Sequence, residues 1–410
     1  MTVRSQDRAT GKQEMSSARA GSGGLMLVLG IIFVAAALRA PFTSVGPLLG
    51  LIRDDLGLSN TLAGFITTLP LLAFALLSPF APQLARRFGL GNVLLLAMLT
   101  LAGGILLRSA SGAVTFFTGT ALIGLAIAVC NVLLPGLIKG SFPLRIGLMT
   151  GMYTVSMNLC AAAASGFSVP LAGQAGLGWR GTLSLWFIIA LLAVAFWIPQ
   201  LKGFVQGNGG GAAKSSIKVW KSPLAWQVTL FMGLQSLLYY VLISWFSVIL
   251  GERGMSASHA GWILSLMQLA QLPFTFFVPL LAGRMKNQRS LVLITSILFF
   301  IGILGIWLGS TAWMALWAVC IGIGGGFAFG LAMMFFSLRT RTAQEASELS
   351  GMAQSVGYLL AAMGPALFGL LHDATDSWSV PLGLLAAAAV LLSAAGLGAG
   401  RDKVVESRTS

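Results

Sequence analysis

The sequence predicts an all-α membrane protein of twelve transmembrane helices, arranged as two pseudo-symmetric halves of six. Three observations carry this. Hydrophobic residues make up 57% of the chain and charged residues 9%, and the mean hydropathy is +0.89, far from the balance of soluble globular domains. Apolar windows of about 20 residues, the length that crosses a bilayer as a helix, recur along the chain. The second six windows repeat the pattern of the first.

In order, the windows fall near residues 25–53, 59–82, 91–110, 114–138, 146–172, 180–200, 223–250, 257–283, 290–309, 312–337, 346–371 and 378–400. Residues 1–23 are polar and basic, too long for the charged region of a signal peptide and without a small-residue cleavage site after them. The first span is therefore expected to stay attached. The chain divides into a cytoplasmic tail (1–23), a first six-helix half (24–200), a cytoplasmic linker (201–222), a second six-helix half (223–400) and a second cytoplasmic tail (401–410). The linker is rich in Gly, Ser and Lys, the composition of a flexible connection. Its GNGGGAAKS string is not a phosphate loop, because Asn208 and Ala213 stand where that motif needs glycine.

The net charge of +14 could suggest a nucleic-acid partner, but the charge follows topology. With the amino terminus in the cytoplasm, 20 of the 25 Lys and Arg residues fall on the inner side, whereas the outer ends hold only Arg53, Arg108, Arg180 and Arg253. That asymmetry places both termini inside, and the partner it implies is the lipid bilayer, not nucleic acid. Cys130, Cys160 and Cys320 lie within spans without metal-type spacing and read as small packing residues, so no metal or cofactor is expected.

The repeat is visible residue by residue. A shift of 197 lays the second span on the eighth, matching Ala63 with Ala260, Gly64 with Gly261, Pro82 with Pro279 and Arg87 with Arg284. A shift of 200 lays the fifth on the eleventh, matching Gly151 and Met152 with Gly351 and Met352. Two parallel six-helix halves are the plan of the major facilitator fold, in which a midplane site between the halves opens to each side in turn.

Arg39 is the remaining cation, and it lies at the middle of the first span as the only charge at such depth in any apolar window. A guanidinium there costs about 2.5 to 3.5 kcal/mol on insertion scales, and arginine does not escape by losing its proton. All eleven acids fall in tails, loops or span ends. The partner is then backbone carbonyls near Pro41, which would make Arg39 structural, or water, or an anionic or strongly dipolar substrate, which would make it the principal anchor.

Other polar residues share helix faces with this depth. Arg39 and Thr43 are four apart, as are Thr154 and Asn158, Gln235 and Tyr239, and Gln354 and Tyr358; Gln268 and Gln271 are three apart. Under the repeat, Arg39 falls opposite residues 236–242, which include Tyr239 and Tyr240. Spans 3, 6, 9 and 12 carry no Asn, Gln or His between their ends, as suits lipid-facing helices. The candidate substrate-binding set is Arg39, Thr43, Asn131, Thr154, Asn158, Gln235, Tyr239, Gln268, Gln354 and Tyr358. Any one of the polar residues read singly also suits helix–helix hydrogen bonding. Gly322, Gly326 and Gly330, at steps of four in span 10, form a stripe for close packing, either static or sliding. His372 and Asp373 are the only His and acid neighbours, at an outer span end. The sequence has no H-E-x-x-H, no paired carboxylates within the bundle and no Ser, His and Asp at common depth, so an enzyme is not expected.

Four strings, LRAPFTSVGPLL (38–49), CNVLLPGLIKGSFP (130–143), SPLAWQVTLFMGLQSLLYYVLISW (222–245) and LSGMAQSVGYLLAAMGPALFGLLHD (349–373), resemble the cyanate permease and 2-nitroimidazole transporter family of the major facilitator superfamily, closest to the 2-nitroimidazole transporter branch. The resemblance runs from about residue 25 to Lys403. It implies an alternating-access secondary transporter in the bacterial inner membrane that moves a small anion or polar nitrogen compound, cyanate-like or 2-nitroimidazole-like, and is expected to function as a monomer. A broader drug or metabolite exporter, or a facilitative channel or sensor on the same bundle, is the alternative. The superfamily's loop between spans 2 and 3 usually reads G-x-L-A-D-R-x-G. Here Arg86 stands in place of the acid within Pro82-Gln83-Leu84-Ala85-Arg86-Arg87-Phe88-Gly89, so a gating salt bridge from that acid is not assumed.

Overall fold

The computed structural model describes residues 24–58, 60–110, 112–201 and 219–405. The tail over 1–23, most of the linker and the last five residues, with the expectations made for them, lie outside the described residues. Helices α1 (Gly24–Thr43), α2 (Val45–Leu56), α3 (Asn60–Leu77), α4 (Ala81–Phe88), α5 (Leu90–Ser109), α6 (Ala113–Ser141), α7 (Ile146–Gly173) and α8 (Gly178–Trp197) make the first half. Helices α9 (Pro223–Glu252), α10 (Ala257–Ala282), α11 (Arg289–Leu308), α12 (Met314–Leu338), α13 (Ala343–Thr375) and α14 (Ser379–Ala399) make the second. In hydrocarbon every backbone polar group must be satisfied within the span, which is why these apolar runs are helical. Eleven helices are long and apolar enough to cross a membrane, and a pair bent by 55° at the end of α3 supplies the twelfth. The expected second span is thus broken where Pro82 enters α4 in its first turn, a position that tolerates the missing N–H.

Local signals set several starts. Thr342 and Glu345 form a reciprocal capping box at α13. Ser222 caps α9 just ahead of Pro223, and Ser256 caps α10.

Within the first half α6 packs on α3 and α5, and α5 on α8; within the second, α9 packs on α13 and α14, and α12 on α10 and α11. The predicted glycine stripe lies in the α10–α12 contact: a Cβ on Gly326 would stand 2.6 Å from Gln271 O, and one on Gly330 2.9 Å from Pro279 Cδ.

The halves meet along α7 with α10 and along α13 with α3 and α6. The α7–α10 and α13–α3 contacts are related by the repeat, and each carries a hydroxyl bond across the halves. Thr154 Oγ1 donates to Thr275 O at 2.5 Å, and Ser355 Oγ donates to Ala75 O at 2.6 Å. Gly151 and Gly351, the pair matched in sequence, both sit at a close approach: an added Cβ would lie 2.7 Å from Phe276 O and 2.8 Å from Ser78 O respectively.

At the end of the bundle that bears the linker, the halves are tied by polar contacts. Lys139 Nζ donates to Ser337 O at 2.6 Å and to Thr340 O, and Ser337 Oγ donates to Pro135 O at 3.3 Å. Arg86 Nη1 pairs with Glu348 Oε1 at 2.8 Å. A salt bridge is therefore present at the segment that lacks the usual acid, with the cation on α4 and the acid on α13. At the opposite end, polar contacts join neighbours within one half, as with the ion pair of Arg180 and Asp55 at 2.7 Å and the approach of His372 Nε2 to Glu252 Oε1 at 3.4 Å.

Candidate substrate site

The site is built on an interruption in the first span. Pro47 has no N–H to give to Thr43 O, four residues back, and Ser165 Oγ of α7 donates to that carbonyl at 3.2 Å. Thr43 Oγ1 in turn donates to Arg39 O and to Ala161 O, both at 3.1 Å. These bonds pin the end of α1 against α7 and hold Arg39 one turn earlier.

Arg39 is half-buried between Leu38 and Ala40, which are sealed at 1% and 0% exposure. Its Nη1 donates to Tyr240 Oη across the halves at 3.3 Å. Its Cζ lies 5.8 Å from the centre of the Phe329 ring, a cation–π distance, and its Nε is buried with no hydrogen-bond partner. Tyr239, Tyr240 and Tyr358 lie within electrostatic range of the guanidinium, and so does Tyr153. The chain has four tyrosines, and all of them lie within electrostatic range of this one cation. Tyr239 and Tyr240 meet edge to face at 5.3 Å, while Tyr358 meets Phe74 of the first half at 5.0 Å. No carboxylate pairs with Arg39 among the described residues.

An amide network adjoins the tyrosines. Tyr153 Oη donates to Asn131 Oδ1 at 3.0 Å. Gln354 Nε2 donates to Asn131 O at 3.0 Å and to Ser350 Oγ at 2.8 Å, which leaves Gln354 Oε1 buried without a donor. The structure thus brings Arg39, Tyr239, Tyr358, Asn131 and Gln354 into one neighbourhood.

The other predicted residues are placed differently. Thr43 and Thr154 spend their hydroxyls on backbone carbonyls and so position helices. Asn158 is half-buried and donates to Thr154 O at 3.1 Å. Gln235 turns back on its own helix, donating to Ser236 Oγ at 2.7 Å, and Gln268 is half-buried on α10. No hydrogen bond joins Gln235 or Gln268 to the Arg39 cluster among the described residues.

Tyr240, Tyr153 and Phe329 belong to the neighbourhood and were absent from the predicted set. Tyr240 was within reach, because the repeat shift carries position 39 to about 240. Tyr153 and Phe329 carried no signal beyond being aromatic in a span.

Arg108, expected as an outer-end cation, is enclosed by the protein at that end of its span. Although it lies in the last turn of α5, it is 1% exposed, because its Nη1 turns inward to Pro41 O at 2.6 Å. A cation at the end of α1 also meets the negative end of that helix.

Chemically, the inter-half cluster offers one fixed cation, phenols and amides, and no acid at hand. A guanidinium about 4 Å from a unit anion, at an effective dielectric near 20, attracts it by about 4 kcal/mol before desolvation. Anions and dipolar acceptors are favoured over cations.

Twelve apolar spans, two repeat-related halves and a polar cluster between them at mid-depth define a membrane carrier. The chain belongs to the Major Facilitator Superfamily, whose model matches residues 27–365. It is 49% identical to the uncharacterized transporter YycB of Bacillus subtilis (strain 168) over 92% of this chain and 94% of that one. It is 43% identical to the 2-nitroimidazole transporter of Escherichia coli (strain K12) over 95% and 99%, and 27% identical to the cyanate transport protein CynX of the same strain over 86% and 91%. Among solved structures, the proton:xylose symporter XylE bound to 6-bromo-6-deoxy-D-glucose shares the fold, with a TM-score of 0.76 at 12% identity over 94% of this chain and 98% of that one. The chain is a secondary transporter.

Proposed function

We propose that this transporter moves a small planar nitro-heterocycle, or a compact anion of cyanate type, across the bacterial inner membrane, with Arg39 as its anchor. The observation that carries the reading is Arg39 itself: a mid-span cation with no paired acid, an unpartnered Nε and every tyrosine of the chain around it. The forked donors of a guanidinium match the two oxygens of a nitro group or a carboxylate, and aromatic walls suit a flat ring. The nitro group of 2-nitroimidazole, for which one relative is named, is an acceptor of this kind, and cyanate, for which another is named, is a compact anion that the charge attracts.

Tyr239, Tyr240, Tyr358 and Tyr153 line the compartment, Asn131 and Gln354 form its amide wall, and Thr43, Thr154 and Asn158 hold the helices in place. Gln235 and Gln268 enter only if α9 or α10 turns during the transport cycle. The linker end faces the cytoplasm, because the basic residues collect there, and the ties through Lys139 and Arg86 make this the arrangement closed to that side. One chain holds both halves of the site and works as a monomer.

Calorimetric titration of the purified protein with 2-nitroimidazole and with sodium cyanate tests the reading. Saturable binding of one or both, lost in a folded Arg39→Gln variant, is expected. Unchanged affinity in that variant overturns the assignment.

A further inference from the structure

Arg108 is the most completely buried charged side chain among the described residues. One of its nitrogens is used on Pro41 O, while Nε and Nη2 are buried with no hydrogen-bond partner. Arg108 forms part of the wall of a cavity otherwise bounded by Phe42, Val45, Ile66, Pro70, Thr120 and Ile123, with room for about one water-sized occupant. Thr120 has given its hydroxyl hydrogen to Phe116 O at 2.8 Å, so the free donors of this wall are those of Arg108. Every lining residue comes from the first half (α1, α2, α3, α5 and α6), which separates the cavity from the cluster between the halves.

A guanidinium sealed away from acids carries an uncompensated desolvation cost, and a single neutral carbonyl offsets only part of it. The occupant that best completes the site is negatively charged, compact enough for the cavity, and weakly enough hydrated to shed its water against apolar walls. We propose that this cavity binds one small monovalent anion of halide size through Nε and Nη2 of Arg108. Because Arg108 also holds Pro41 O, the anion would steady the interruption of the first span two residues beyond Arg39.

The test uses the full-length purified protein in sodium gluconate, titrated with sodium bromide at constant ionic strength. A saturable rise in the thermal unfolding midpoint of about 2 °C is expected from stabilisation by a ligand bound only to the folded state. The rise persists in Arg39→Gln and disappears in Arg108→Gln. Crystals grown in bromide give a second readout that needs no variant: an anomalous peak within hydrogen-bond distance of Arg108. A bromide response that survives in Arg108→Gln, the absence of any response in the parent, or an ordered water without anomalous signal at that position overturns the proposal.

Discussion

Thr154 in the first half and Ser355 in the second do the same work on repeat-related helices, each giving a hydroxyl to a carbonyl of the opposing half. Arg39 and Tyr240 lie on stretches that the repeat sets opposite each other, and they do unlike work: the first half contributes the fixed charge, and the second contributes the phenol that meets it. The interface between halves has kept its symmetry because two parallel bundles that rock against each other need the same close approach on both sides. The proposed compartment has lost it, because a small polar solute is itself unsymmetrical and would be held by a charge on one side and by hydroxyls and rings on the other. Three of the four surrounding tyrosines, together with Phe329 and Gln354, belong to the second half.

The largest expected effect tests the charged side. Arg39→Gln should weaken cyanate binding by about 100-fold or more, of the order of 3 kcal/mol for a buried charge-assisted interaction. Arg39→Lys should retain a measurable fraction, because the charge survives. With neutral 2-nitroimidazole the two variants should be impaired about equally, because both lose the planar fork. Calorimetry with both ligands on both variants reads this directly, and a lysine variant that binds cyanate like the parent would show that charge alone carries recognition.

The symmetric side is tested next by Gly151→Ala and Gly351→Ala. Each places a methyl group under 3 Å from a carbonyl of the other half, an overpacking that costs about 1 to 3 kcal/mol. Both should lower the thermal midpoint and slow substrate exchange in liposomes by similar amounts. A variant pair of which only one is impaired would break the claim that the two contacts are equivalent.

Smaller effects are expected at the linker end. Arg86 is 40% exposed on its side chain and Glu348 14%, so the ion pair stabilises closure by about 0.2 to 1 kcal/mol. Arg86→Glu puts two acids in its place and should shift the population toward opening at that end. The double variant Arg86→Glu with Glu348→Arg should restore it. Pulsed electron resonance distances between spin labels on the two halves measure the shift, and a swap that fails to restore the parent distance distribution argues against a simple charge pair. Smallest of all, Tyr240→Phe removes the hydroxyl that meets Arg39 and leaves the ring contact with Tyr239, which should weaken binding about five-fold, near 1 kcal/mol.

Much of the fold was legible in one dimension. The bilayer imposes a length and a polarity on every span, so hydropathy alone marks the spans, and the matches at Gly151 with Gly351 and Pro82 with Pro279 mark the duplicated halves. The depth of Arg39 and the stretch 236–242 opposite it were readable for the same reason, since depth in the membrane is nearly proportional to position along a span. Direction around a helix was less readable. Gln235 and Tyr239 share a face by spacing, yet Gln235 bonds Ser236 on its own helix while Tyr239 reaches the guanidinium's field.

What the tertiary structure alone decided follows from bends and from partners distant in sequence. Arg108 reads as an outer-end cation until α1 is interrupted near Ser44 and presents a proline carbonyl to it. Arg86 reads as a lost salt bridge until α13 brings Glu348 to it from 262 residues away. Composition and repeat determined that this chain is a two-half membrane carrier with a cation at its centre, because those properties are summed along the chain. Which groups satisfy that cation and seal one end depends on helix rotation and proline breaks, and those are set only when the helices pack.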